Sequence, residues 1–287
     1  MLNIYAPAKV NLVLEVLGKH NDYHQISSIV QAISLYDILN FQLEEEIHFK
    51  CNEPSLERNN LVIQAAELLR EVTQCPKGAQ IELYKYIPWG VGLGGGSSDA
   101  AATLLALNEL WELRLSISDL AHLASKLGSD VPFFIYGGTA LVEGVGERVT
   151  PLPSLCPTWF VLLVPPLSKV TDKTRQLYNK LTAGHFTKGQ FVYAAVSSLR
   201  QGKMIIPSLM FNVFEKVASG FFPKLNEYRR IFEEAGASRI YLAGSGPCLF
   251  TFVSEEEGAE ELSSRLKGQG LECYVASSLP KASLLEA

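Results

Sequence analysis

Hydrophobic and polar positions alternate over residues 8–17. Val10, Leu12, Leu14 and Val16 fall on one face and Lys9, Asn11, Val13 and Glu15 on the other, a period of two that predicts a β-strand. Lys9 and Asn11 then stand side by side, roughly 6.6 Å apart along the strand. The period becomes helical over residues 61–72, with Asn59 or Asn60 as cap, and returns to strand over 80–87. Residues 97–113 predict a long helix and 118–127 a shorter one stopped by Gly128. An apolar stretch over 133–142, broken by Gly137 and Gly138, leads to a polar turn at 143–148. Residues 159–164 predict a buried strand ended by Pro165 and Pro166. From there to about Arg230 the pattern is mostly helical. Residues 239–253 then read as strand, Gly-Ser-Gly turn and strand, 255–267 as a helix, and 271–276 as a strand. Strands and helices interleaved with hairpin-like pairs give an α+β class, divided near residue 155 into segments 1–155 and 156–287.

Composition narrows the setting. With 287 residues, 47% of them apolar and 19% charged, the chain reads as an ordinary globular protein able to bury a core in each of two lobes. A net charge of −5 and a pI near 5.6 give no electrostatic reason to expect nucleic acid or an anionic membrane as partner. Cys51, Cys75, Cys156, Cys248 and Cys273 are widely spread with no C-x-x-C pair, which argues against a zinc site or disulfide framework and fits a reducing compartment. The N-terminus lacks the basic-then-apolar order of a signal peptide, and no apolar stretch reaches bilayer length. The expected location is the cytoplasm.

The densest chemical signal is PWGVGLGGGSSDAA, residues 88–101, with five glycines between Gly90 and Gly96. Gly90, Gly92 and Gly95 match G-x-G-x-x-G after a strand and before a helix. A dinucleotide fold would also need a second strand ending in an acidic residue about 20 residues on, where this chain has SISDL. A Walker A loop would need a lysine before its hydroxyl residue, and Gly96, Ser97 and Ser98 supply none. What survives is the physics common to both: unobstructed backbone N–H groups leading into a helix N-terminus with two hydroxyls, a site for a phosphate-bearing ligand. A plain turn capped by Ser97 or Ser98 rarely needs more than one or two glycines. The second glycine turn, Gly244, Ser245 and Gly246 in YLAGSGPCLF, is by itself a hairpin or bulge.

Together, PAKVNLVLEV, PWGVGLGGGSSDAA and YLAGSGPCLF, in that order, resemble the three motifs of the GHMP kinases, which phosphorylate small alcohols with ATP. LGSDVPFFIYGGTALVEGVGE at 127–147 and Asp22-Tyr23-His24 most resemble the branch whose alcohol is linked to a cytidine diphosphate. The resemblance implies a two-lobe fold, 1–155 holding ATP and 156–287 on the substrate side, with the site in the cleft between them. It implies Asp130 as the base for the substrate hydroxyl and Lys9 as its neighbour, stabilising that carboxylate and the charge developing on the alcohol oxygen. It makes Gly90, Gly92, Gly94, Gly95, Gly96, Ser97 and Ser98 the phosphate cradle, Asn60 a contact for adenine, and Asn11, Gly244 and Ser245 substrate contacts. Tyr23, His24 and Tyr178 would recognise the cytosine by stacking and polar contact. Mg²⁺ would come with ATP, bound mainly through its phosphates and not in a protein-built metal site. Without the resemblance, Asp130 reads as a helix cap, Lys9 as a surface lysine, Asn60 as the cap of the 61–72 helix, and Tyr23-His24 as loop packing.

Two positions depart from the pattern. The family's glycine before Tyr-His is absent, leaving Asn21-Asp22-Tyr23-His24, and Val213 stands where an aspartate is common.

Overall fold

The computed structural model describes residues 1–21, 23–58, 60–168, 170, 172–203 and 205–280. Asp22 and Asn59 therefore lie outside the described residues.

The alternation read over residues 8–17 extends into a 19-residue strand, β1 (Leu2–His20), paired antiparallel along its length with β2 (Tyr23–Glu44). Bulges interrupt the register between Asn11 and Val13, among other places, so the polar pair Lys9 and Asn11 precedes a local break in the ladder. β3 (Ile47–Cys51), β4 (Gly78–Tyr84), β5 (Thr139–Gly144) and β6 (Arg148–Pro151) complete the first sheet with β8 (Phe211–Asn212). Its order is β3-β4-β2-β1-β8, with the β5–β6 hairpin against the other stretch of β2. A second antiparallel sheet, β11-β7-β10-β9, uses β7 (Trp159–Val164), β9 (Tyr241–Leu242), β10 (Leu249–Val253) and β11 (Glu272–Ser277).

Four helices cover the first sheet: α1 (Leu61–Thr73), α2 (Gly95–Leu110), α3 (Ile117–Leu127) and α4 (Val131–Tyr136). α2 is buried nearly all round, and its alanines 100–102 and 106 let β1, β2, α1 and α4 approach it closely. Because α2 is fixed on every side, so is the loop that feeds its N-terminus. α3 starts at a capping box between Ser116 and Asp119 and stops at Gly128. The second sheet packs one face on α7 (Glu215–Phe221), α8 (Leu225–Glu234) and α9 (Glu256–Lys267), and the other against β1, β2 and α6 (Gln190–Arg200). α5 (Lys173–Lys180) bridges toward the cleft. All five cysteines are free, and among the described residues no helix is long and apolar enough to cross a membrane.

Val213 is fully buried with Leu14, Val161 and Phe214, and its N–H donates to Leu14 O at 2.9 Å. An aspartate here would face an apolar core, so valine fits this packing. Asn212 beside it does the polar work: its amide donates to Leu242 O and Gly244 O, and its oxygen accepts from Phe214 N.

Candidate active site

The glycine loop is held from two sides. Leu93 O accepts from Lys9 N of β1 at 2.9 Å, and Val91 O accepts from Cys248 N, just past the Gly-Ser-Gly turn, at 3.3 Å. A Cβ on Gly246 would land on the Val91 carbonyl, and one on Gly92 on the Ala243 carbonyl. A Cβ on Gly94 would press Phe134 and Lys9. These glycines let the first, second and third motifs touch backbone to backbone. Gly96 differs: nothing lies within 4 Å of its Cβ position, and it is exposed at the start of α2, leaving its N–H face open to an anion.

Two outcomes follow from that contrast. Gly246→Ala is expected to destabilise the fold by about 1–3 kcal/mol, the usual cost of overpacking, read from a denaturation midpoint. Gly96→Ala should hold or raise that midpoint and weaken nucleotide binding. A Gly246→Ala midpoint equal to wild type would contradict the close approach.

Lys9 is 5% exposed and Asn11 7%. Lys9 Nζ donates to Asn11 Oδ1 at 2.7 Å and lies 3.4 Å from Asp130 Oδ2. Asn11 is itself fixed, donating to Ser28 Oγ, which in turn donates to Val13 O. Asp130 occupies the N-cap position of α4 but makes no capping hydrogen bond. Its half-exposed carboxylate turns to Lys9 and the cleft instead.

The cleft, about 1240 Å³, is lined by Lys9, Asp130, Gly90, Gly92, Gly94, Gly95, Gly96, Ser97, Asn60, Tyr23, His24, Tyr178 and Ser245. Asn11 and Gly244 stand just behind: a Cβ on Gly244 would lie 3.2 Å from Lys9 Nζ and from Asn11 Oδ1. Ser98 is fully buried and its Oγ finds no partner. Asn60 lines the cleft, yet its oxygen caps α1 through Val62 N and its amide donates to Leu56 O, so both ends of the amide are occupied within the protein. Tyr178 stacks on His24 with ring centroids 4.9 Å apart and meets Phe214 edge-on. The structure pairs Tyr178 with His24 and leaves Tyr23 68% exposed. Burial, then Asp130, push the Tyr178 hydroxyl above the ordinary tyrosine range, and burial, then Lys19, hold His24 below its ordinary 6.5. Both rings are thus neutral at physiological pH.

Sequence reasoning passed over several residues. Lys85, Asp37 and Asp99 form a buried cluster beneath the start of α2, with Lys85 Nζ bonded to Asp37 Oδ2 and, at 2.7 Å, to Asp99 Oδ2. A charged residue within apolar strand sequence at Asp37 and a lysine immediately before the glycine segment were the available signals.

Comparison with known proteins decides the family. The family models "GHMP kinases N terminal domain" and "GHMP kinases C terminal" match residues 60–138 and 196–271. A 4-diphosphocytidyl-2-C-methyl-D-erythritol kinase of Dehalococcoides mccartyi is 46% identical over 97% of this chain and 99% of its own length. The chain belongs to the GHMP kinases. A kinase of the same name from Symbiobacterium thermophilum is 39% identical over 97% of the chain and 100% of its own length. The crystal structure of a 4-(cytidine 5'-diphospho)-2C-methyl-D-erythritol kinase superposes with a TM-score of 0.82 at 34% identity, covering 96% of this chain and 99% of that one. A homoserine kinase from Cytophaga hutchinsonii, TM-score 0.75 at 20% identity over 97% and 94% of the two chains, shares the fold. The α+β GHMP kinase fold and the resemblance read from the three motifs are therefore borne out. As a GHMP kinase, the protein is an ATP-dependent kinase of a small molecule.

Proposed function

We infer that this GHMP kinase transfers the γ-phosphate of ATP to the 2-hydroxyl of 4-diphosphocytidyl-2-C-methyl-D-erythritol, a step toward isoprenoid precursors by the non-mevalonate route. The observation that carries this reading is one cleft holding both a Lys9–Asp130 pair and an aromatic platform of His24 and Tyr178. The names of the relatives over nearly their whole lengths support the same acceptor. A mevalonate or homoserine acceptor has no base to stack, so the platform weighs against it.

Transfer needs the phosphates held, the hydroxyl aligned and its proton accepted. The backbone N–H groups from Gly94 to Ser98 would hold the phosphates at the positive end of α2. Asp130 would take the hydroxyl proton. Lys9 Nζ has three donors, one engaged by Asn11 and one directed to Asp130, which leaves one for the alcohol oxygen as its charge develops. The described residues contain no cluster of three metal-ligating side chains, and the unpartnered Ser98 Oγ suits a single hydroxyl ligand to Mg²⁺ carried in on ATP. When bound, that ion would neutralise charge on the bridging phosphate oxygens. His24, kept neutral by burial and by Lys19, can offer cytosine both a donor and an acceptor. The reading places the enzyme in the cytoplasm, with ATP and one small molecule as its partners.

Phosphorus NMR of the product tests this: one new phosphomonoester resonance, with the diphosphate resonances kept, is expected, and cleavage of the diphosphate would overturn it. His24→Phe should raise KM for the cytidylyl acceptor about tenfold, the loss of one buried hydrogen bond, and leave KM for ATP in place. With His24 held below the ordinary imidazole range in the folded protein, wild-type acceptor KM should be flat between about pH 7.5 and 8.5 and rise as the pH falls through that lowered pKa and the ring protonates. A rise already within that flat range would contradict the neutral imidazole.

A further inference from the structure

Lys173 opens α5 at the rim of the cleft. Its ammonium donates to Gly90 O at 2.8 Å, at the first glycine of the phosphate loop. Among the described residues it has no carboxylate partner, and the ion pairs those residues form all lie elsewhere. Burial first, and then the charge of Lys9, pull its pKa down to about 8, with only the Cys248 thiol acting the other way. Asp172 and Arg175 flank it on its own segment, and Lys9 and Asp130 share its cleft.

The placement is built and not incidental. Thr174 and Ser245 are joined hydroxyl to hydroxyl at 2.8 Å, tying the first turn of α5 to the Gly-Ser-Gly turn. Leu177 is fully buried and Tyr178 packs on Phe214. The protein thus fixes a second ammonium near Lys9 with only a neutral carbonyl as partner. Desolvating a cation beside a like charge is unfavourable unless an anion arrives between them. With one proton on Gly90 O, two donors remain for phosphate oxygens.

We propose that Lys173 is a second phosphate-binding cation of this active site, holding an oxygen of the transferring phosphoryl group at the glycine loop. The proposal rests on the kinase reading above. The shared chemistry is a phosphate oxygen, which the γ-phosphate of ATP and the diphosphate of the acceptor both supply; the γ-phosphate is favoured because Lys173 is bonded to the glycine loop itself.

The test uses the full chain with Lys173→Gln, whose amide can still donate to Gly90 O, and Lys173→Arg, which keeps the charge. Titration with AMP-PNP, ADP and CDP, each with Mg²⁺, separates the sources. Lys173→Gln is expected to bind AMP-PNP about tenfold more weakly, the scale of one charge-assisted hydrogen bond, with ADP and CDP unchanged and kcat lowered by at least as much. Lys173→Arg should stay near wild type. A loss confined to CDP would support the phosphate role and assign it to the acceptor. Wild-type affinities and turnover in Lys173→Gln would overturn the proposal and leave Lys173 a strut for the loop. Wild-type protein that binds no AMP-PNP would instead sink the kinase reading, and this proposal with it.

Discussion

Asp130→Asn is expected to lower kcat by about 10² to 10⁴, the range of a lost general base, while nucleotide affinity stays at the wild-type level. The amide is nearly the same size and cannot accept the hydroxyl proton. The fold should be indifferent to the change, because the carboxylate caps nothing in α4 and half of it faces solvent. Steady-state kinetics beside a nucleotide titration measure both quantities. Turnover within a few fold of wild type would reduce Asp130 to a residue at a helix start. Loss of ATP binding as well would mean that the change had disturbed Lys9, whose ammonium lies 3.4 Å away.

Lys85→Met carries the largest expected cost in stability, about 3–5 kcal/mol, the usual result of leaving a buried charge without its partner. The side chains of Lys85, Asp37 and Asp99 are all at most 4% exposed. Asp37 Oδ1 also accepts from Tyr86 N and Ile87 N at 2.7 and 2.8 Å, so the cluster joins β2, the end of β4 and the first turn of α2. Gly95 leaves the room for it: a Cβ there would lie 3.0 Å from Lys85 Nζ. Burial, only partly offset by Lys85, raises Asp99 to about 8. Burial pulls Lys85 down, but Asp99 and Asp37 outweigh it and hold the ammonium above the usual lysine range. Asp99 therefore keeps its proton well above the usual carboxylate range, beside the Lys85 ammonium.

The sign of the pH effect follows. Because Asp99 binds its proton more tightly folded than unfolded, its contribution is full below 3.8 and is lost as pH rises toward about 8. Lys85→Met should accordingly be less harmful in acid, where Asp99 carries its proton and leaves less buried charge without a partner. Asp99→Asn should flatten the dependence across that window. Denaturant midpoints at several pH values measure this; a loss under about 1 kcal/mol for Lys85→Met at pH 7 would show that the cluster is not sealed from water.

Much of the fold was legible because local periodicity and final structure agree. β7 spans the strand read at 159–164, and α1 and α3 begin within one residue of their predicted starts. α2 begins two residues earlier than expected, because Gly94 in a left-handed conformation serves as its N-cap in place of a serine. The central stretch of the 22-residue β2, residues 27–33, gave no such signal, since it is buried on both faces between β1 and β5, and alternation fades when neither face meets water. The pairing of β8 with β1 joins residues nearly 200 positions apart in the chain, a contact no local pattern encodes.

The site divides in the same way. The glycines stand out by their density and Lys9 by sharing a strand face with Asn11 in an otherwise apolar strand, whereas Asp130 is picked out only through the resemblance of LGSDVP. Asp99, Asn212 and Lys173 look ordinary in sequence, Lys85 and Asp37 give only a faint signal, and it is the tertiary arrangement that gives all five their partners. The glycine loop itself has a more mixed purpose than phosphate binding alone, for Gly92, Gly94 and Gly246 are small so that the chain can pack against itself. Of the five loop glycines, Gly90 and Gly96 are both exposed and clear of neighbours, and of these two only Gly90 has the positive φ that favours glycine.

The central claim is that this cleft moves a phosphoryl group from ATP to a cytidine-linked alcohol. It is tested most directly by incubating the protein with γ-labelled ATP, Mg²⁺ and, in separate reactions, 4-diphosphocytidyl-2-C-methyl-D-erythritol, mevalonate, homoserine and galactose. Label is expected in the cytidylyl compound alone. Label in mevalonate or homoserine, with none in the cytidylyl compound, would contradict the account, because the His24–Tyr178 platform would then have no base to recognise.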